Sequence, residues 1–191
     1  MKKIILASAS PRRKMLLEKI GLDFDVIPAD IDETITEEFS NQLIEKLALD
    51  KAQYVAQKTS EPSIVIGSDT VVVIDSQILG KPKDKEDAKR MLSLLSDNTH
   101  EVISAIAVVD TETGLHSCES VISKVKFRKI TESEIDNYIK TGEPEDKAGA
   151  YAIQGYASVF VESIEGCYNN IVGISVFKLA QMLKKFGISI L

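Results

Sequence analysis

Ser8, Ser10, Arg12 and Arg13, within Leu6-Ala7-Ser8-Ala9-Ser10-Pro11-Arg12-Arg13, place two hydroxyls and two guanidinium groups at a strand-to-helix handover. Such a turn suits an anion, because the unpaired N–H groups of a first helical turn, the positive end of the helix dipole and an arginine converge on one phosphate. The same residues also read as an ordinary capped helix with two solvated arginines. Asp69 lies inside Ile64-Val65-Ile66-Gly67-Ser68-Asp69-Thr70-Val71-Val72-Val73, the most hydrophobic stretch of the chain. Aspartate is depleted in strands, and a buried carboxylate is costly unless paired. It therefore points to a metal-binding or catalytic role, or to a bulge at Gly67 where it accepts from backbone amides.

Lys51 comes four residues after Leu47 and four before Val55, in the middle of a helical stripe that includes Leu43, Ile44 and Ala48. It either snorkels from the edge of the core or reaches a cleft, to meet a phosphate or to lower a carboxylate pKa. Gly80-Lys81-Pro82 offers a second lysine on a stiff loop. Pro82 stands where a Walker A loop needs Ser or Thr, and no upstream glycine has the required spacing, which argues against a P-loop NTPase. Asp30, Asp32 and Glu33 form an acidic loop that is either solvated or supplies a metal ligand, Glu33 first among them. In Ala148-Gly149-Ala150-Tyr151-Ala152-Ile153-Gln154-Gly155, small residues permit close approach to a ligand, and Gln154 presents both donor and acceptor to a base edge. An ordinary tight connection explains the same residues.

The elements that position these groups alternate strand and amphipathic helix, so the class is α/β with a mixed sheet. A strand is expected over Ile4–Ala7. A helix follows, with Ser10 as N-cap, Pro11 in its first turn, Met15, Leu16 and Ile20 inward, and a stop at Gly21. Phe24–Ile27 reads as extended, Ser40 to about Lys58 as a long helix, and Ser63–Asp75 as a central strand. Asp84 caps a helix striped by Ala88, Met91, Leu92 and Leu95. Glu101–Asp110 and Leu115–Arg128 flank the turn Thr111-Glu112-Thr113-Gly114, which predicts an antiparallel hairpin. Thr131-Glu132-Ser133-Glu134 is a capping-box pattern. A Gly-rich loop, a strand near Val159–Ile164, a loop at Cys167–Gly173 and a final helix ending at Gly187 complete the chain.

With 191 residues, 44% of them hydrophobic, a single domain over 1–191 is expected. The net charge of −6, from 23 Lys and Arg against 29 Asp and Glu, argues against nucleic-acid or membrane partners. Two cysteines, Cys118 and Cys167, without metal-ligand spacing and no apolar run of spanning length suggest the cytoplasm. Only His100 and His116 are available, so a zinc site or a Ser-His-Asp hydrolase is disfavoured, whereas carboxylate ligands favour Mg²⁺ or Mn²⁺.

Four stretches, Ser8-Ala9-Ser10-Pro11-Arg12-Arg13, Gly67-Ser68-Asp69-Thr70, Gly80-Lys81-Pro82 and Lys147-Ala148-Gly149-Ala150-Tyr151, resemble in content and order the Maf family of nucleoside triphosphate pyrophosphatases. The resemblance runs from Lys3 to about Phe186. Lys81-Pro82-Lys83-Asp84, Ile153-Gln154-Gly155, and Tyr168 with Asn170 before Val172-Gly173 resemble the dTTP/UTP branch. Ala152 and Ser175 depart from the family's usual Gly and Pro. The resemblance implies an inosine-triphosphatase-like fold with two lobes around a cleft, a homodimer, and hydrolysis of dTTP and UTP to monophosphate and pyrophosphate with Mg²⁺ or Mn²⁺. It makes Asp69 the proton acceptor; on that basis Asp69, Glu33 and Lys51 are expected to carry the catalysis, and Glu33 with Asp69 to hold the metal. Arg12, Thr70 and Gln154 fall on positions linked to substrate choice, while Ser8, Arg13, Glu33, Lys51 and Lys81 fall on cleft positions. The rival readings are a nucleotide-binding regulator linked to septum formation, a metal-dependent nuclease, which lacks the basic surface, and a purine-directed pyrophosphatase.

Overall fold

The computed structural model describes residues 2–31 and 40–191, and its architecture is mixed α/β. In chain order the elements are β1 (Lys3–Leu6), α1 (Pro11–Lys19), β2 (Asp25–Val26), α2 (Asn41–Lys58), β3 (Ser63–Ile74), β4 (Gln77–Leu79) and α3 (Lys85–Leu95). There follow β5 (Thr99–Asp110), β6 (His116–Phe127), α4 (Glu132–Lys140), β7 (Val161–Glu165), α5 (Tyr168–Val172) and α6 (Val176–Lys184). The strand order is β2-β1-β3-β5-β6-β7, with β4 also paired to β3. β1 pairs in parallel with β2 and β3, Ile5 facing Asp25 on one side and Val65 on the other. β3–β4 and β6–β7 are antiparallel, which makes the sheet mixed.

The chain divides into two compact units. The first holds the described residues up to Asp69 together with Ser104–Val121 and Gly173–Leu191; the second holds Thr70–Ile103 and Ile122–Val172. In the first, Leu6, Ile44, Val65, Ile66, Leu179 and Met182 are wholly or almost wholly removed from solvent. In the second, Leu79, Leu92, Leu95, Ile103, Val125 and Phe127 play that part. Burying a side chain of this size contributes about 1.5–3 kcal/mol against the ordering entropy.

The helix boundaries follow from capping chemistry. Ser40 accepts from the Leu43 amide at 3.2 Å, and Asp84 accepts from Asp87 at 2.7 Å. Thr131 and Glu134 form a reciprocal box, Glu134 taking the Thr131 amide at 2.8 Å. At α1 the expectation is met differently. Ser10 occupies the N-cap position without a capping side-chain bond, and the buried stripe is Arg13, Leu16 and Leu17, with Met15 left 40% exposed. Positions 13, 16 and 17 share a face at helical spacing, and Met15 is not on it. Gly21, at φ +72°, ends the helix.

The segment expected as a loop at Cys167–Gly173 contains α5, a five-residue helix between Gly166 at φ +111° and Gly173 at φ +145°. So short a helix has no room to show a periodic stripe. The strand expected from Val159 begins at Val161, after a 3₁₀ turn over Tyr156–Phe160.

Candidate active site

In the first unit, α2 and β3 meet at a residue without a side chain. A Cβ on Gly67 would stand 2.2 Å from the Ala48 carbonyl oxygen and 2.9 Å from the Ala52 Cβ. Glycine lets the helix backbone approach the strand this closely. β3 runs from Ser63 to Ile74, and Gly67 serves the helix contact within it. Side chains two residues apart share a strand face, and residues three apart on a helix are neighbours. Asp69 is therefore directed as the Gly67 hydrogen is, toward α2, where Lys51 lies one turn beyond Ala48. Lys51 Nζ donates to Asp69 Oδ1 at 2.6 Å, the two side chains being 6% and 12% exposed. Each charge balances the other in a place where neither alone would be tolerated.

The second cluster lies at the start of α1. Ser8 Oγ accepts from the Ser10 amide at 3.2 Å and from Arg13 Nη1 at 3.1 Å. Arg13 Nε donates to the Gly173 carbonyl at 3.0 Å, and Ser68 Oγ donates to the same carbonyl at 3.2 Å. Gly173 at φ +145° adopts a conformation that a side chain would oppose. A buried arginine is thus fixed in direction by a serine and a peptide oxygen. Arg12, its neighbour on α1, is half-buried. Ser8, Arg13, Lys51 and Asp69 therefore form two bonded groups, Ser8 with Arg13 and Lys51 with Asp69. The roles of Ser68 and Gly173 went unread in the sequence, where the signal was a glycine one residue past an apolar pair.

The second unit carries the other expected residues. Thr70 follows Asp69 in β3 and is half-buried. Lys81 is exposed just after β4. Its turn is tied down by Gly80, whose carbonyl accepts from the Gly149 amide at 3.0 Å. Gly149, at φ +69°, presses on β3 so closely that a Cβ would lie 2.8 Å from Val72 Cγ2. The loop then turns inward at buried Tyr151, whose hydroxyl lies 2.8 Å from His100 Nε2, with Phe127 edge-on to both rings. Burial pushes the Tyr151 phenol up and His100 down to about 4. Gln154 emerges from this loop exposed.

Asp32 and Glu33 lie outside the described residues, while Asp30 is exposed. Among the described residues no group of three or more His, Cys, Asp or Glu side chains is arranged to hold a metal, and no helix is long and apolar enough to cross a membrane.

Comparison with known proteins bears on this arrangement. The family model described as Maf-like protein matches residues 3–186. A dTTP/UTP pyrophosphatase of Desulforamulus reducens is 48% identical over all of both chains. One of Acetivibrio thermocellus is also 48% identical, over all of this chain and 98% of the relative. A solved structure of a HAM1 protein from Coxiella burnetii superposes with a TM-score of 0.54 over 97% of this chain and 100% of that one. At 16% identity that likeness speaks for the fold. The paired Asp69 and Lys51 and the anchored Arg13 thus sit in a chain matched almost end to end, and this chain belongs to the Maf-like protein family.

Proposed function

We propose that this protein hydrolyses dTTP and UTP to the nucleoside monophosphate and pyrophosphate, cleansing the nucleotide pool. The observation that carries the reading is the buried Lys51–Asp69 pair, set in a chain 48% identical along its whole length to proteins named dTTP/UTP pyrophosphatase. A water oxygen attacks the α phosphorus and forms a P–O bond. The bond from that phosphorus to the α–β bridging oxygen breaks, and pyrophosphate leaves with the electron pair. Asp69 takes the proton of the attacking water. Lys51 holds the carboxylate in place, and with Arg12, Arg13 and Lys81 it offsets the charge that develops on the phosphates. The Ser8 hydroxyl fixes Arg13. Thr70 and Gln154 read the base, where loss of a polar contact lowers selectivity more than rate.

The donor chemistry fits a divalent cation. Mg²⁺ is commonly held by one or two carboxylates together with substrate phosphates, and Asp69 with Glu33 would supply them to Mg²⁺ or Mn²⁺. Bound there, the ion supplies Lewis acidity at the phosphate oxygens. The family resemblance also supports a homodimer in the cytoplasm, and light scattering on the purified protein tests the dimer.

Pyrophosphate release from a nucleotide panel, with Mg²⁺ or Mn²⁺, tests the reading. The expected result is preference for dTTP and UTP, with a loss of roughly 10²-fold or more in Asp69→Asn, the range of a general base. Tight nucleotide binding with no turnover under either metal overturns the enzyme and leaves the regulator.

A further inference from the structure

We infer that Glu143 is a positioning residue that sets base selectivity by bracing the loop from which Gln154 projects, an inference resting on the pyrimidine-nucleotide reading above. In sequence, Glu143 is one more acidic residue in a polar turn after α4. In the structure its carboxylate is half-buried and gathers three donors. Oε1 accepts from the Tyr138 hydroxyl at 2.8 Å and from the Ala157 amide at 3.4 Å, and Oε2 accepts from the Tyr156 amide at 3.0 Å. The Tyr138 oxygen in turn accepts from the Ala152 amide at 3.2 Å. Residues 152, 156 and 157 are thus held, directly or through one phenol, by a single side chain from outside the loop. Gln154 lies between the held residues.

Gly155 makes this possible. A Cβ there would stand 2.0 Å from Glu143 Oε2 and 2.4 Å from its carboxyl carbon. The absent side chain of Gly155 is the space the carboxylate occupies. On the other flank, Tyr151 is anchored by His100 at 2.8 Å. The turn Ile153-Gln154, closed by the Gly155 amide on the Ala152 carbonyl at 3.0 Å, is therefore held from both flanks, with Gln154 exposed between them. A base-reading amide must hold its donor and acceptor to within a few tenths of an ångström to discriminate. A charged acceptor taking two backbone N–H groups supplies such rigidity, because charge-assisted bonds are the stronger ones.

The test is a double-mutant cycle on the ratio of kcat/KM for UTP to that for GTP, with thermal unfolding measured for each variant. Glu143→Gln keeps the shape but turns one acceptor oxygen into a donor facing an N–H group. It is expected to reduce the ratio about tenfold, as Gln154→Ala does. In the Gln154→Ala background, Glu143→Gln is expected to cause no further fall in the ratio, a convergence that general loosening of the fold would not produce. Gly155→Ala, which pushes the carboxylate aside without removing it, is expected to copy Glu143→Gln. Amide exchange at Tyr156 should quicken in Glu143→Gln without any substrate present. An unchanged ratio in Glu143→Gln, or independent effects in the double variant, overturns the positioning role while leaving the pyrophosphatase reading intact. Failure of the native protein to turn over UTP or dTTP overturns that reading and this inference with it.

Discussion

Lys51 interrupts a face of α2 otherwise made of Leu47, Ala48, Ala52 and Val55, and a lone ammonium there would strongly destabilise the fold. The carboxylate that meets it at 2.6 Å is equally out of place on its own. Each residue makes the other tolerable, so removing one is worse than removing both. Lys51→Met should lower stability by about 3–5 kcal/mol, the penalty of a buried charge left without its partner. Lys51→Met with Asp69→Leu should recover much of that loss while remaining inactive. Urea titration of the two variants gives the comparison. Equal stability would mean that water reaches the pair and screens it.

At the scale of elements, the approach of α2 to β3 sets where that pair forms. Gly67→Ala brings a methyl to 2.2 Å from a backbone oxygen, which the helix relieves only by moving as a body. A cost of about 3 kcal/mol is expected, at the upper end of overpacking, with activity falling because Lys51 moves away from Asp69. Thermal unfolding and pyrophosphate release on one sample check both parts. α4 offers a contrast, since its start depends on one local box. Arg128 first, then the Thr131 backbone and hydroxyl, hold Glu134 down to about 2. The cap thus survives mild acid, and Thr131→Ala should cost about 1 kcal/mol by denaturant titration at pH 4 as well as at pH 7. Lys51 and Asp69 were legible in the sequence because each violates a strong local pattern, a helical stripe or a β-branched run. Their partnership was not, since it depends on Gly67, whose role appears only when helix and strand are docked. Arg13 was legible as a cation at the strand-to-helix turn but not as a member of the buried stripe that Met15 was expected to join. Glu143 was invisible for the opposite reason. It breaks no rule, and an acid in a polar turn reads as solvated until the loop behind it folds back.

For the whole molecule, the buried histidine gives stability a dependence on pH. His100 is held near 4 by burial, against about 6.5 in the unfolded chain. Between those values the unfolded chain binds a proton that the folded one does not, so stability is full above about 6.5 and is lost as pH falls toward 4. A shift of this size corresponds to about 3 kcal/mol at 1.36 kcal/mol per unit. His100→Gln should flatten the curve over that window while lowering stability at pH 7, where the hydroxyl of Tyr151 loses its ring partner. Denaturant titrations at half-unit pH steps reveal whether the slope disappears. The ends of the sheet carry a different consequence. Among the described residues its last strand on one side, β2, is only two residues long, and on the other side β7 reads Val-Glu-Ser-Ile-Glu, with four of its five residues exposed. Glu162 is paired with Lys126 at 2.8 Å. A short strand offers little template, and a charged one repels its own kind. Replacing Glu162 and Glu165 by valine would turn that rim into a seed for strand-by-strand growth between molecules. The two acids in β7 therefore help to keep a concentrated solution of this protein clear.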